Sequence, residues 1–120
     1  MPTDRPTATE LLTAVREHLI NNVAPTLEGQ PAFHMRVATN ALAIVERTME
    51  HGATMDKAEH ERLQALLSKK GNLIELNQSL VEKIRAGKLI DKHKDVLSHL
   101  RQTVIDKVQL ANPKYLTPRD

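Results

Sequence analysis

Glycine sets the outline of this chain. Its four glycines, Gly29, Gly52, Gly71 and Gly87, are spaced so that five segments of helical length lie around them. In each segment apolar residues recur every three or four positions, the period of a helix buried on one face. Glycine ends helices because it takes up the left-handed conformation without a Cβ clash. One glycine per junction predicts an all-α fold, a single-domain up-and-down bundle of about five helices over residues 1–120. A polar lead (1–6) and a short tail (113–120) flank it.

The first predicted helix runs from about Ala8 to Asn22, with Thr7 and Glu10 as a capping box and Leu11, Val15, Leu19 and Val23 on one face. Pro25 cannot continue it. The second runs from about Pro31 to His51, and the third from about Met55 to Lys70 behind Thr54. The fourth runs from about Leu73 to Ala86, started by Asn72 and Glu75 and stopped by Gly87. The fifth runs from about Lys92 to Ala111, with Val96, Leu100, Val104 and Val108 spaced four apart. Asn112-Pro113 ends it, and Tyr115 in the tail is expected to fold back onto the bundle.

The second helix is unusual. On a wheel with Arg36 at zero, apolar, alanine and threonine positions together with His34 fill an arc from about 60° to about 260°. A helix packed on one side needs only about 100° of apolar arc. The width predicts a central helix, flanked on several sides. The remaining sector carries Arg36, Asn40, Ala43 and Arg47 as one stripe, with Glu46 at its edge.

Composition removes several function classes. There is no cysteine, hence no disulfide, thiolate metal site or thiol nucleophile. Aromatics make up 2%, too few for a single-strand stacking platform. Leu, Ile, Val and Phe supply about a quarter of the chain, enough for an aliphatic core. Residues 1–60 carry net −3 and residues 61–120 net +5. The basic cluster at Lys83–Lys94 is interleaved with Glu82 and Asp91, so nucleic acid is not an expected partner. No apolar run approaches a membrane span and no targeting signal opens the chain, so a cytoplasmic protein is expected.

Catalytic signatures are missing. No Glu-x-x-His, His-Glu-x-x-His, Gly-x-Ser-x-Gly or phosphate-loop motif occurs. No catalytic residue, metal or cofactor is assigned, and an enzyme is the least expected class. Asp56/His60 and Asp95/His99 stand four apart, as ordinary exposed helix pairs do. His34, mid-arc, reads as a general base in a pocket or, more simply, as a buried neutral histidine held by a carbonyl. Asn40 and Asn77 border apolar stripes, as register-setting amides or as groove residues. Arg36 and Arg47 lie about 16 Å apart along the axis, too far to clamp one phosphate but suited to an extended ligand or a protein surface.

Four stretches carry a resemblance. They are Phe33-His34-Met35-Arg36-Val37-Ala38-Thr39-Asn40 continuing to Arg47, Leu73 to Asn77 leading to Ile84-Arg85-Ala86-Gly87, Asn112-Pro113-Lys114-Tyr115, and Asp4-Arg5-Pro6-Thr7. Over nearly its whole length the chain resembles an uncharacterised bacterial family of short helical proteins. That family is encoded beside aminoglycoside-phosphotransferase-like kinases and acyl-CoA dehydrogenases. The resemblance implies an accessory role near acyl-CoA or hydroxyacyl metabolism. It carries over the polar motif positions His34, Arg36, Asn40, Glu46, Arg47, Asn77, Arg85 and Asn112 as binding residues. The expected function is a non-enzymatic interaction module docking onto a kinase-like or acyl-CoA dehydrogenase partner. The alternatives are a binder of an acyl-CoA-like anion, with a groove beside Arg36 or Arg85, and a homodimer closing an exposed apolar strip on itself.

Overall fold

A computed structural model describes residues 4–116. Four α-helices and no strand occur among them: α1 (Ala8–His18), α2 (Gly29–Leu67), α3 (Leu73–Arg85) and α4 (His93–Ala111). The all-α class is as the periodicity predicts. Two compact units make up the chain, 1–51 and 52–120. No helix among the described residues is long and apolar enough to cross a membrane.

The ends follow the local chemistry. Thr7 accepts from the Glu10 amide and Glu10 reaches back to the Thr7 amide, closing the capping box of α1. Past His18 the winding loosens into a π turn, Leu19–Val23, then tightens into a short 3-10 turn at Ala24–Thr26 beside Pro25. Asn72 caps α3 by accepting from the Glu75 amide at 2.8 Å. Gly87, with φ +70°, stops α3 in the left-handed region.

One junction is absent. The second and third predicted helices are a single 39-residue helix, and Gly52 lies inside it. A helix-interior glycine costs about 0.5–1 kcal/mol relative to alanine, less than a break needs when both flanks are good helix formers. The turn after α2 is made by Ser68, at φ +50°, three residues before Gly71. The Gly71 carbonyl accepts from the His60 ring at 2.6 Å, so His60 holds this turn instead of pairing with Asp56.

In unit 1, α1 runs back along the first part of α2. Thr13 and Arg16 both bond to Glu46, which the short 19–28 connection permits only for antiparallel helices. The half-buried line on α1 is Thr9, Leu12, Thr13, Arg16 and Leu19. Its partner line on α2 is Met35, Thr39, Leu42 and Glu46, of which Thr39 and Glu46 are buried. The broad apolar arc is therefore not the inside of a central helix. Phe33, Val37, Val45 and Met49 are each about half exposed. The physical reason is direction: α1 meets α2 between about 240° and about 300° on the wheel, overlapping only the end of the arc. For the same reason His34 is exposed rather than buried.

Unit 2 holds the aliphatic core. Leu63, Leu66 and Leu67 of α2 pack with Leu76 and Leu80 of α3, Leu89 of the connection and Val96 of α4. On α4 the buried line is Val96, His99 and then Thr103, while Leu100 and Val104 face outward. Asn112 closes α4 and Pro113–Leu116 forms a 3-10 turn. Tyr115 is 72% exposed, so it does not fold back as expected.

Candidate functional site

The polar residues singled out from the sequence are divided between the two units. His34, Arg36, Asn40, Glu46 and Arg47 belong to the α2 part of unit 1, and Asn77, Arg85 and Asn112 to unit 2.

Glu46 faces inward. Its carboxylate accepts from the Thr13 hydroxyl and from Arg16 Nε, with only 9% of its side chain exposed. The Arg16 hydrogen bond holds the Glu46 carboxyl below the usual carboxylate range, and Thr13 adds to the effect against the opposing cost of burial. Glu46 in turn holds the Arg16 guanidinium above its usual value. The pair ties α1 to α2.

An exposed stripe lies on the other side of that contact. Phe33, Arg36, Asn40, Ile44 and Arg47 fall between about 0° and about 80° on the wheel, one helical ridge. Phe33 is 54% exposed, its ring meets the His34 ring edge-on at 5.7 Å, and the Arg36 guanidinium lies 5.9 Å from its centroid. The arginine is thereby pre-positioned on the aromatic face. Asn40 and Ile44 are exposed, and Arg47 is half-buried. The stripe presents an aromatic, two guanidiniums, an amide and an aliphatic at spacings of three and four residues.

In unit 2 the inherited residues are dispersed. Asn77 is half-buried and donates to Glu59 Oε2 at 3.2 Å and to the Leu73 carbonyl at 3.0 Å, pinning α3 to α2. Arg85 and Asn112 are exposed at the ends of α3 and α4.

Unit 2 also contains an arrangement that the sequence reading missed. Arg62 donates from Nε to His99 Nδ1 at 3.2 Å and from Nη2 to the Thr103 hydroxyl at 3.3 Å. His99 is buried, and burial, then the nearby Arg62 charge, pushes its ring below the usual histidine value, with Glu59 opposing. The ring is neutral, with Nδ1 accepting and the proton on Nε2. A cleft of about 310 Å³ opens beside them, lined also by Leu66, Lys92, Asp95 and Ser98. Lys92 reaches across to the Leu66 carbonyl at 2.9 Å. Among the described residues no carboxylate bonds to Arg62. Its partners lie 37 and 41 residues away in the chain, so no local motif announces them. A second cavity, about 220 Å³, is lined mainly by apolar side chains including Ile84, Leu89 and Val96. Among the described residues no three His, Asp or Glu side chains converge as a metal site requires.

Fold and surface define an all-α protein with an aromatic–arginine stripe on its longest helix. The chain belongs to the family described as a domain of unknown function, DUF6285, which matches residues 25–115. The matched segment takes in the whole of α2, α3 and α4. No curated protein and no solved structure matches the chain.

Proposed function

We propose that the chain is a non-enzymatic interaction module that docks onto a protein partner through the exposed stripe of α2. The observation that carries this reading is the exposed Phe33 ring with Arg36 held against it, in line with Asn40, Ile44 and Arg47. Aromatic and arginine anchors dominate binding energies at interfaces, and helix-in-groove recognition reads anchors at three-, four- and seven-residue spacings. The class of partner comes from the family resemblance: a cytoplasmic bacterial phosphotransferase-like kinase or acyl-CoA dehydrogenase. Co-expression of the full chain with the products of the genes flanking its own tests the reading. Stable co-elution with one of them is expected. Elution apart from every neighbour contradicts it.

A second reading is favoured by one observation in unit 2. The Arg62 guanidinium is bonded to a neutral ring and a hydroxyl, with no bonded carboxylate among the described residues, and it borders an open cleft in which it and Lys92 stand against the single carboxylate of Asp95. Such a cleft suits a small oxyanion. Its volume accepts one phosphate or a short carboxylate, and an acyl-CoA would leave most of its length outside.

A further inference from the structure

Unit 1 has a second exposed surface, on the flank opposite the Arg36 stripe. On α1 it consists of Leu11 and Val15, 54% and 50% exposed. On α2 it consists of Ala38, Ala41, Val45 and Met49, all exposed, with His34 and Thr48 among them. In an antiparallel hairpin both sets lie on the same side. Leu11 and Val15 sit about 100–140° to one side of the α1 contact line, and Ala38, Val45 and Met49 about 70–110° to the corresponding side of the α2 line.

We propose that this face is closed by a second copy of the chain, joining two hairpins through a two-fold axis into four helices. The proposal rests on the reading of the chain as an interaction module and adds a different surface and a different occupant. Three observations carry it.

The first is that unit 1 has no fully buried apolar side chain among the described residues, its contact line of Leu12, Leu19, Met35 and Leu42 being only half-buried. Every buried apolar residue among those described belongs to residues 63–96, and the hairpin buries only Thr39 and Glu46. Helix pairs gain most of their stability from packing an apolar face, which here has nothing against it.

The second is charge. No Asp, Glu, Lys or Arg falls on this face. Glu10 and Glu17 project from the far side of α1, and Arg36, Arg47 and Glu50 from the far side of α2. A two-fold interface brings a patch against its own copy, so a charge near the axis would meet itself. A charge-free face escapes that repulsion, and Ala38 and Ala41 let the two backbones approach closely.

The third is area. Leu11, Val15, Val45 and Met49 are each about half exposed, and with Ala38, Ala41, His34 and Thr48 the face exposes on the order of 600 Å² per chain, so a pair that covers all of it buries about 1,200 Å², the lower edge of specific interfaces.

Light scattering on the full chain tests the proposal. The expected mass is twice 13.5 kDa, falling to 13.5 kDa in Val45→Asp with helical circular dichroism retained. The chain has no cysteine, so a short bismaleimide should link Val45→Cys copies and not Asn40→Cys copies, a comparison that holds even if the aspartate variant unfolds. A wild-type mass of 13.5 kDa at the highest soluble concentration overturns the proposal, as does an assembly indifferent to Val45→Asp. A monomer that still co-elutes with a neighbouring gene product leaves the docking reading standing and self-pairing lost. A Val45-dependent dimer that binds no neighbour does the reverse.

Discussion

Arg62 donates its Nε–H to Nδ1 of His99, so a permanent cation is bonded to a ring that stays neutral because it is buried. The relationship fixes the ring's tautomer, and it predicts how acid acts on the protein. The folded-state pKa of His99 is depressed. The stability it confers is therefore complete above the unfolded value of about 6.5 and is lost as pH falls below it, because the unfolded chain takes up the proton first. Thermal melts from pH 7.5 to pH 5 should show a falling midpoint, and His99→Gln should flatten that slope. Equal slopes in both proteins refute the assignment.

Glu46 predicts the behaviour of the hairpin. Glu46→Ala removes the acceptor of both Thr13 and Arg16 and leaves the guanidinium beside a buried gap. Because Arg16 is itself partly exposed, the cost should be about 2 kcal/mol, below the 3–5 typical of a fully buried pair. Urea unfolding measures it. The depressed Glu46 carboxyl adds an acid limb: its contribution is present above about 4.3 and disappears as pH falls through its lower folded value.

Gly52→Ala distinguishes one helix from two. In a continuous α2 the substitution should raise stability by about 0.5–1 kcal/mol and increase helical circular dichroism. At a left-handed junction, alanine would instead destabilise by about 1 kcal/mol or more.

The cleft of unit 2 gives a binding prediction. Titrating phosphate or acetate into labelled protein should shift the amide signals of Ser98, His99 and Thr103, and Arg62→Gln should abolish the shifts. Lys92→Gln, at an exposed position, should weaken them without loss of fold. Absence of any shift at saturating anion removes the oxyanion reading.

Local signals were legible and directional ones were not. The Thr7–Glu10 box, the Asn72 cap, the Gly87 stop and the span of α4 all depend on neighbours in the chain, and they stand where the sequence puts them. Burial depends on which side of a helix meets another. Positions four apart advance about 40° around the axis at each step, so the ladders Leu11–Val15 and Val96–Leu100–Val104 drift off the contact line. The lines that do bury alternate steps of three and four, and they recruit polar side chains: Thr13 and Arg16 on α1, His99 and Thr103 on α4. That drift hid the Arg62–His99 pair and made the α2 arc look interior, while the inward direction of Glu46, which came in through the family resemblance, shows only in its bonds to Thr13 and Arg16. Gly52 misled because glycine is a permissive residue, and a break also needs a turn that the flanking helix formers do not favour.

If the exposed stripe of α2 is a docking surface, Arg36→Glu should weaken docking and leave the fold intact. The substitution reverses the charge held against Phe33 while touching no contact between α1 and α2. The measurement is the fraction of a flanking kinase-like or acyl-CoA dehydrogenase protein that co-elutes with the full chain, wild type against Arg36→Glu. Retention by the wild type is expected, with at least about a tenfold loss of affinity in the variant and an unchanged melting temperature. Equal retention by both proteins, or by neither, would contradict it.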